Sequence, residues 1–210
     1  MTLDKKLSII NSIKNSDKEE DLNKIVEFAK DKDFEVREFV AQILNHKHTN
    51  ILFDNPFVLL SQDSFSQVRE EISRNYYTPT EILEYLADDN ELKVVLNVAI
   101  NSKTPREILE KLYARGEEFY PYLAQNINIS KEILKKMILN GGVEVAINAT
   151  HNIVLDNEIA STLLDMYPND NRIKKGLIAN YKIGNEVLRV LEKDENAIIS
   201  KFANNRLKKE

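Results

Sequence analysis

Asn75-Tyr76-Tyr77-Thr78-Pro79-Thr80-Glu81-Ile82-Leu83, closed by Leu86, sets how this chain is read, because its frame comes back four more times. The frame is an Asn, five residues, a Glu, a β-branched aliphatic, a Leu or Ala, two residues, and a Leu or Met. Its copies open at Asn75, Asn101, Asn126, Asn152 and Asn180, with glutamates at Glu81, Glu107, Glu132, Glu158 and Glu186. Recurrence at roughly 25 to 28 residues marks a stacked array, in which each unit buries its apolar face only against a neighbour.

Within a copy the pattern is helical. Thr78-Pro79-Thr80-Glu81 reads as an N-cap threonine, a proline at the first helical position and a glutamate closing a capping box, so a helix is expected from Pro79. Thr104-Pro105-Arg106-Glu107 repeats the device, and Ile82, Leu83 and Leu86 correspond to Ile108, Leu109 and Leu112 as one apolar stripe. In the copies without Thr-Pro, caps must come from Ser130, Asn128, Asp156 or neighbouring groups. A second apolar-periodic stretch runs up to each following Asn: 91–100, 117–125, 143–151, 169–179 and 195–203. The Asn is expected to end that second helix or to bond locally in the turn after it. Arg115-Gly116, Gly141-Gly142 and Met166-Tyr167-Pro168-Asn169 mark the joints within pairs.

Upstream, 22–30 and 39–44 read as helices around the charged joint 31–37, with Val36-Arg37 and Val68-Arg69 as related junctions. The stretch 46–55 is expected to be an irregular loop. Apolar residues at 3, 7, 10 and 13 predict a capping helix over Leu3 to Ile13.

Composition narrows the function classes. The formal charge of −5 gives no general attraction to phosphate backbones. With no cysteine, disulfides, thiolate metal sites and cysteine nucleophiles are excluded, and a cytoplasmic setting is the simplest expectation. Charged residues interrupt the N-terminal apolar stretch, so neither a signal peptide nor a membrane span is expected there. No Gly-rich phosphate loop, nucleophile elbow or helical two-His zinc motif is present.

The Asn75 to Leu83 frame, with Leu86-Ala87-Asp88-Asp89, resembles the leucine-rich repeat variant, an all-helical relative of HEAT repeats; the Val-Arg junctions resemble HEAT-type second helices. The resemblance covers roughly residues 20 to 204. It implies an all-α fold, a right-handed α-solenoid (superhelix) of paired short helices, one of each pair sometimes 3₁₀ and lining the inner face. Some relatives carry an N-terminal iron-sulfur cysteine cluster; the chain has no cysteine and no cofactor is expected. HEAT-like families are mainly interaction scaffolds, but one branch comprises alkylpurine DNA glycosylases that hold DNA in a basic concave groove using aromatic contacts including Trp. Here Trp is absent and the net charge is negative.

The expected organisation is one α-solenoid over 1–210, with a capping helix in 1–17, degenerate HEAT-like repeats in 18–74, leucine-rich-variant-like repeats in 75–204 and a basic tail in 205–210. The repeated glutamates are explained by helix starts and need no catalytic role. His46 and His48, with Asp54, fall short of a zinc ligand set, and His151 stands alone at a junction.

Function is expected where the repeats disagree. Arg69 lies six residues before Asn75, and the same offset gives Val95, Tyr120, Ala146, Lys174 and, counted from Asn205, Ile199. Arg37 fits the series less well, since Ile43 stands where the Asn would be. The candidate partner-binding residues are Arg37, Arg69, Arg74, Tyr120, Tyr122 and Lys174. Arg69 and Arg74, with Lys93, could form a local positive patch, but the favoured reading is ion pairing with Glu70, Glu71 or the Asp joints; exposed aromatics are natural peptide anchors. The leading expectation is a non-catalytic scaffold binding a protein or peptide on its concave face. The alternative is nucleic-acid binding through Arg69, Arg74, Lys93, Lys174 and Lys175.

Overall fold

The structure, a computed structural model, describes residues 1–51 and 53–209 and is helical throughout, with no strand among them. Its helices are α1 (Leu3–Ile13), α2 (Glu19–Ala29), α3 (Phe34–Ile43), α4 (Pro56–Ser61), α5 (Ser66–Arg74), α6 (Thr80–Leu86) and α7 (Leu92–Ile100). There follow α8 (Arg106–Arg115), α9 (Tyr120–Leu123), α10 (Lys131–Asn140), α11 (Gly142–Ala149), α12 (Asn157–Met166), α13 (Asn171–Ala179), α14 (Asn185–Glu192) and α15 (Ala197–Leu207). The chain forms two compact units, Met1–Ile108 and Leu109–Glu210.

In the first unit, α2, α4 and α6 form one layer and α3, α5 and α7 the other, with α1 packed on α2 and α3. In the second, α9, α11, α13 and α15 pack in sequence, and α12 and α14 lie against them. Helices this short are marginal alone, so packing must hold them. Leu83, Leu86, Val94 and Val98, all 0% exposed, show one repeat's stripes meeting in a continuous core. The fold is thus an all-α helical-repeat solenoid.

The expected helix at Leu3 to Ile13 is present. Between α3 and α4, His46–His48 forms a 3₁₀ turn capped by Asn45, so this part of the expected loop is ordered, while Leu52 lies outside the described residues. The stretch after Gly116 is a 3₁₀ turn, Glu117–Phe119, running into the four-residue α9, where one second helix was expected. Pro121, which lacks an amide hydrogen, sits in its first turn.

Thr78 does not cap the helix that follows it, contrary to expectation. α6 begins at Thr80, with Pro79 still extended at ψ 149°, and no side chain caps it. The Thr78 hydroxyl instead donates backwards to the Ile72 carbonyl at 2.6 Å, and Thr104 does the same to Val98 at 2.6 Å. Both threonines are buried. A buried carbonyl at the end of the preceding helix has no access to water, whereas water can satisfy an exposed amide at the next helix start. Ser130 and Asp156 do cap α10 and α12, accepting from Ile133 and Ile159.

Candidate partner-binding surface

Two hydrogen-bonded ladders run through the turns, and between them they account for most of the chemistry that recurs in the sequence. The first uses the frame asparagines. Each Oδ1 accepts from the amide two residues on: Tyr77 for Asn75, Lys103 for Asn101, Asn128 for Asn126, Val154 for Asn152 and Lys182 for Asn180. Each described Nδ2 reaches back to the preceding repeat. Asn101 donates to Ser73 and Asn75 at 2.8 and 3.1 Å, Asn152 to Ala124 and Asn126 at 2.8 and 2.9 Å, and Asn180 to Thr150 and Asn152 at 2.8 and 2.9 Å. The amide group has two donor hydrogens and one acceptor oxygen, and this geometry uses them all. The local turn role was expected; the reach to the preceding repeat was not.

The ladder has two members that the frame does not show. Asn75 donates to Ala41 and Leu44, and Asn45 fills the earlier rung, donating to Lys14 at 2.9 Å and accepting from Lys47. The missing Asn at position 43 is therefore supplied two residues later. At the other end Arg206 takes the asparagine's place, donating to Ile178, Asn180 and Ile183 at 2.7, 2.6 and 2.6 Å. α15 accordingly continues to Leu207, past the expected start of a tail at 205. Counting six back from Arg206 puts Ser200 in the series, while Ile199 is core.

The second ladder holds three of the six candidate residues. Arg37 grips the Asp63 carboxylate with Nη2 at 2.9 Å and Nε at 2.5 Å, and lies over the Phe65 ring. Arg69 grips Asp89 at 2.7 and 2.9 Å and donates another bond to the Asp63 carbonyl at 2.7 Å. Asp63 thus brings the two arginines together. Lys6 with Asp31 and Lys174 with Asp194 are rungs of the same kind, at 2.7 and 2.5 Å. Each of these aspartates also accepts from the amide two residues on, at Asp33, Phe65, Glu91 or Asn196. Burial pushes the carboxyls of Asp31, Asp89 and Asp194 up, but hydrogen bonds from the paired cation and that amide bring all three below the ordinary value. Arg37 and Arg69 are raised by hydrogen bonds to Asp63 and Asp89. The charges of Arg37, Arg69 and Lys174 are therefore met inside the protein.

Of the other candidates, Tyr120 is half-buried and stacks on Tyr113, centroids 5.0 Å apart; burial and then the Tyr113 hydrogen bond raise its phenol above the ordinary value. Tyr122 is also half-buried. Arg74 is different: its side chain is 52% exposed and its pair with Glu71 lies within one helical turn. Lys93 pairs with Glu70 at 2.8 Å, and Lys175 is exposed. On α3, α5 and α7 the exposed or half-exposed charges include Glu35, Glu38 and Glu71 beside Arg74 and Lys93, a mixed surface. Burial, then Glu71 and Glu35, raise the Glu38 carboxyl above its ordinary value.

Arg74 also belongs to a surface that the sequence reading passed over. Clefts of about 280 and 240 Å³ lie on either side of Tyr76, lined in part by Leu44, Tyr77 and Ile100. Tyr76, Tyr77 and Ile100 are 54, 41 and 41% exposed, and Lys103 sits over the Tyr76 ring at 4.4 Å. The available signal was the pair after each frame Asn, which varies freely: Tyr76-Tyr77, Ser102-Lys103, Ile127-Asn128, Ile153-Val154 and Tyr181-Lys182.

Among the described residues no group of three or more His, Cys, Asp or Glu is placed to hold a metal ion. His48 is fully buried, accepting from the Asn45 amide at Nδ1, and His46 lies against Tyr77. No helix among these residues is long and apolar enough to cross a membrane.

No protein-family model and no curated protein matches this sequence. A solved structure does: a leucine-rich repeat variant with a novel repetitive structural motif, 19% identical, with a TM-score of 0.54 over 88% of this chain and 71% of that one. At that identity the likeness concerns the fold alone, and it agrees with the all-helical repeat described above. The chain has the helical-repeat fold of the leucine-rich repeat variant.

Proposed function

We propose that this chain is a non-catalytic helical-repeat scaffold of the cytoplasm that binds a protein or peptide partner on the face made by its second helices and the turns after them. One observation carries the reading: Arg37, Arg69 and Lys174, the cations that the second helices α3, α5 and α13 carry toward the joints, are held by Asp63, Asp89 and Asp194. A nucleic-acid groove needs unneutralised cations facing the backbone. What that face offers instead is mixed charge with accessible Tyr76 and Tyr77, the surface type that anchors peptides. The lack of cysteine suits a reducing compartment.

The test is affinity capture from the source cytoplasm, with the full chain and a Tyr76→Ala/Tyr122→Ala variant as paired baits, beside a mobility-shift titration with duplex and single-stranded oligonucleotides at low salt. A partner that binds the purified chain and is lost with the variant is the expected result. Salt-dependent retention of oligonucleotide without such a partner overturns the reading.

A further inference from the structure

The two clefts beside Tyr76 are one feature seen twice. The first lies between the residues that precede ladder asparagines Asn45 and Asn75, namely Leu44 and Arg74; the second lies between Arg74 and Ile100, which precedes Asn101. They are therefore one repeat apart, with Arg74 and Tyr76 forming the wall they share. Packed helices lie about 8–10 Å from one another. A polyproline-II chain advances about 9 Å in three residues. Side chains at i and i+3 of an extended segment would meet successive clefts, and tyrosine faces of this kind receive proline and aliphatic groups.

Charge selects the segment further. Arg74 lines both clefts with its side chain 52% exposed; Glu71, which also lines the first cleft but is only 18% exposed, holds it by an i,i+3 contact of the sort worth little in water. Lys103 places a second cation, its ammonium, over Tyr76. We propose that this double cleft is a docking track for an extended segment of another protein that bears proline or aliphatic side chains three residues apart and a carboxylate between them. The proposal rests on the peptide-binding reading above and assigns it a place and a ligand chemistry.

The experiment is selection of a displayed library of random 12-residue peptides on the full chain, followed by titration of enriched synthetic peptides against wild type, Tyr76→Ala, Arg74→Glu and Tyr122→Ala. Circular dichroism checks that each variant is folded. Enriched peptides should share an apolar i, i+3 spacing and an Asp or Glu, and should weaken at least tenfold with Tyr76→Ala and with Arg74→Glu. Peptides indifferent to both substitutions but lost with Tyr122→Ala would overturn this track and leave the general reading standing. Enrichment of Lys or Arg in place of the acid, or of no peptide at all, also overturns it. No enrichment together with no captured partner removes both readings. Binding of a (dT)20 oligonucleotide that Tyr76→Ala abolishes would reassign the surface to single-stranded nucleic acid.

Discussion

Asn101 donates its side-chain amide to the backbone oxygen of Asn75, 3.1 Å away, the residue that holds the same place one repeat earlier. It also donates to Ser73 at 2.8 Å, and its own oxygen accepts from Lys103. Because the residue is only 6% exposed, water cannot replace these bonds when the amide is removed. Asn101→Ala should destabilise the protein by about 1–3 kcal/mol, the cost of stranding buried carbonyls. Asn101→Asp should cost more, since it removes both donors and sets a charge against carbonyl oxygens. Urea unfolding of the two variants checks the order.

The Arg69 and Asp89 side chains are 13 and 5% exposed, so losing either leaves its partner charged in a poorly solvated place. Arg69→Ala and Asp89→Ala should each cost about 3 kcal/mol, and the double variant distinctly less than their sum. Arg74→Ala, by contrast, removes an exposed pair and should cost about 0.5 kcal/mol or less. A double-mutant cycle by chemical denaturation checks this, and additive costs would mean that the pair is not coupled.

The second ladder predicts an acid transition. Asp31, Asp89 and Asp194 have folded-state values below the ordinary 3.8, so they bind fewer protons folded than unfolded. Their stabilisation is complete above about pH 4 and is lost as pH falls through the depressed values. The melting temperature measured between pH 5 and 2 should fall, and Asp89→Asn should flatten part of that fall.

His48 predicts a separate step at higher pH. Its ring is fully buried, and Nε2 has no hydrogen-bond partner among the described residues. Burial lowers its pKa from 6.5, and the neighbouring charges of His46 and Lys47 add to the effect. The folded state therefore resists protonation: its contribution is complete above about pH 6.5 and declines as pH falls toward the depressed value. His48→Asn keeps an acceptor for the Asn45 amide and should remove the slope between about pH 6.5 and 5. An unchanged slope in that variant would show that another group is responsible.

Gly176 marks a close approach. A Cβ placed there would lie 2.0 Å from the Thr150 hydroxyl oxygen and 2.7 Å from its Cβ. Gly176→Ala should destabilise by about 1–3 kcal/mol even though alanine favours helices, because overpacking outweighs propensity. A melting temperature at or above wild type would show that the stack yields easily at this turn.

Much of the architecture was legible before any coordinates. The frame from Asn75 to Leu86 and its four successors gave the pairing of helices, and Ser130 and Asp156 were recognisable as caps. The threonines were misread, because Thr-x-x-Glu is a local capping pattern and the carbonyls of Ile72 and Val98 compete for the same hydroxyls only once the chain has turned back on its helix. The surface was less legible still. Tyr76 and Tyr77 stood inside the diagnostic frame and read as part of it, while the fluctuating Arg37, Arg69 and Lys174 drew attention as binding positions.

The repeat, its helix pairs and the turn-forming role of its asparagines are written locally in the chain, because periodicity, proline placement and short polar side chains act over a few residues. Which charges remain for a partner is settled only by stacking. Arg37 meets Asp63 and Arg69 meets Asp89 across 26 and 20 residues, and Arg206 finishes the asparagine ladder from a position that reads as a solvated end. Those partners come within reach only when one repeat is stacked on the next, so the sequence could offer the Asp joints and Glu70 or Glu71 as partners for the cations but not say which acid meets which, and it passed over the tyrosines that the fold leaves exposed.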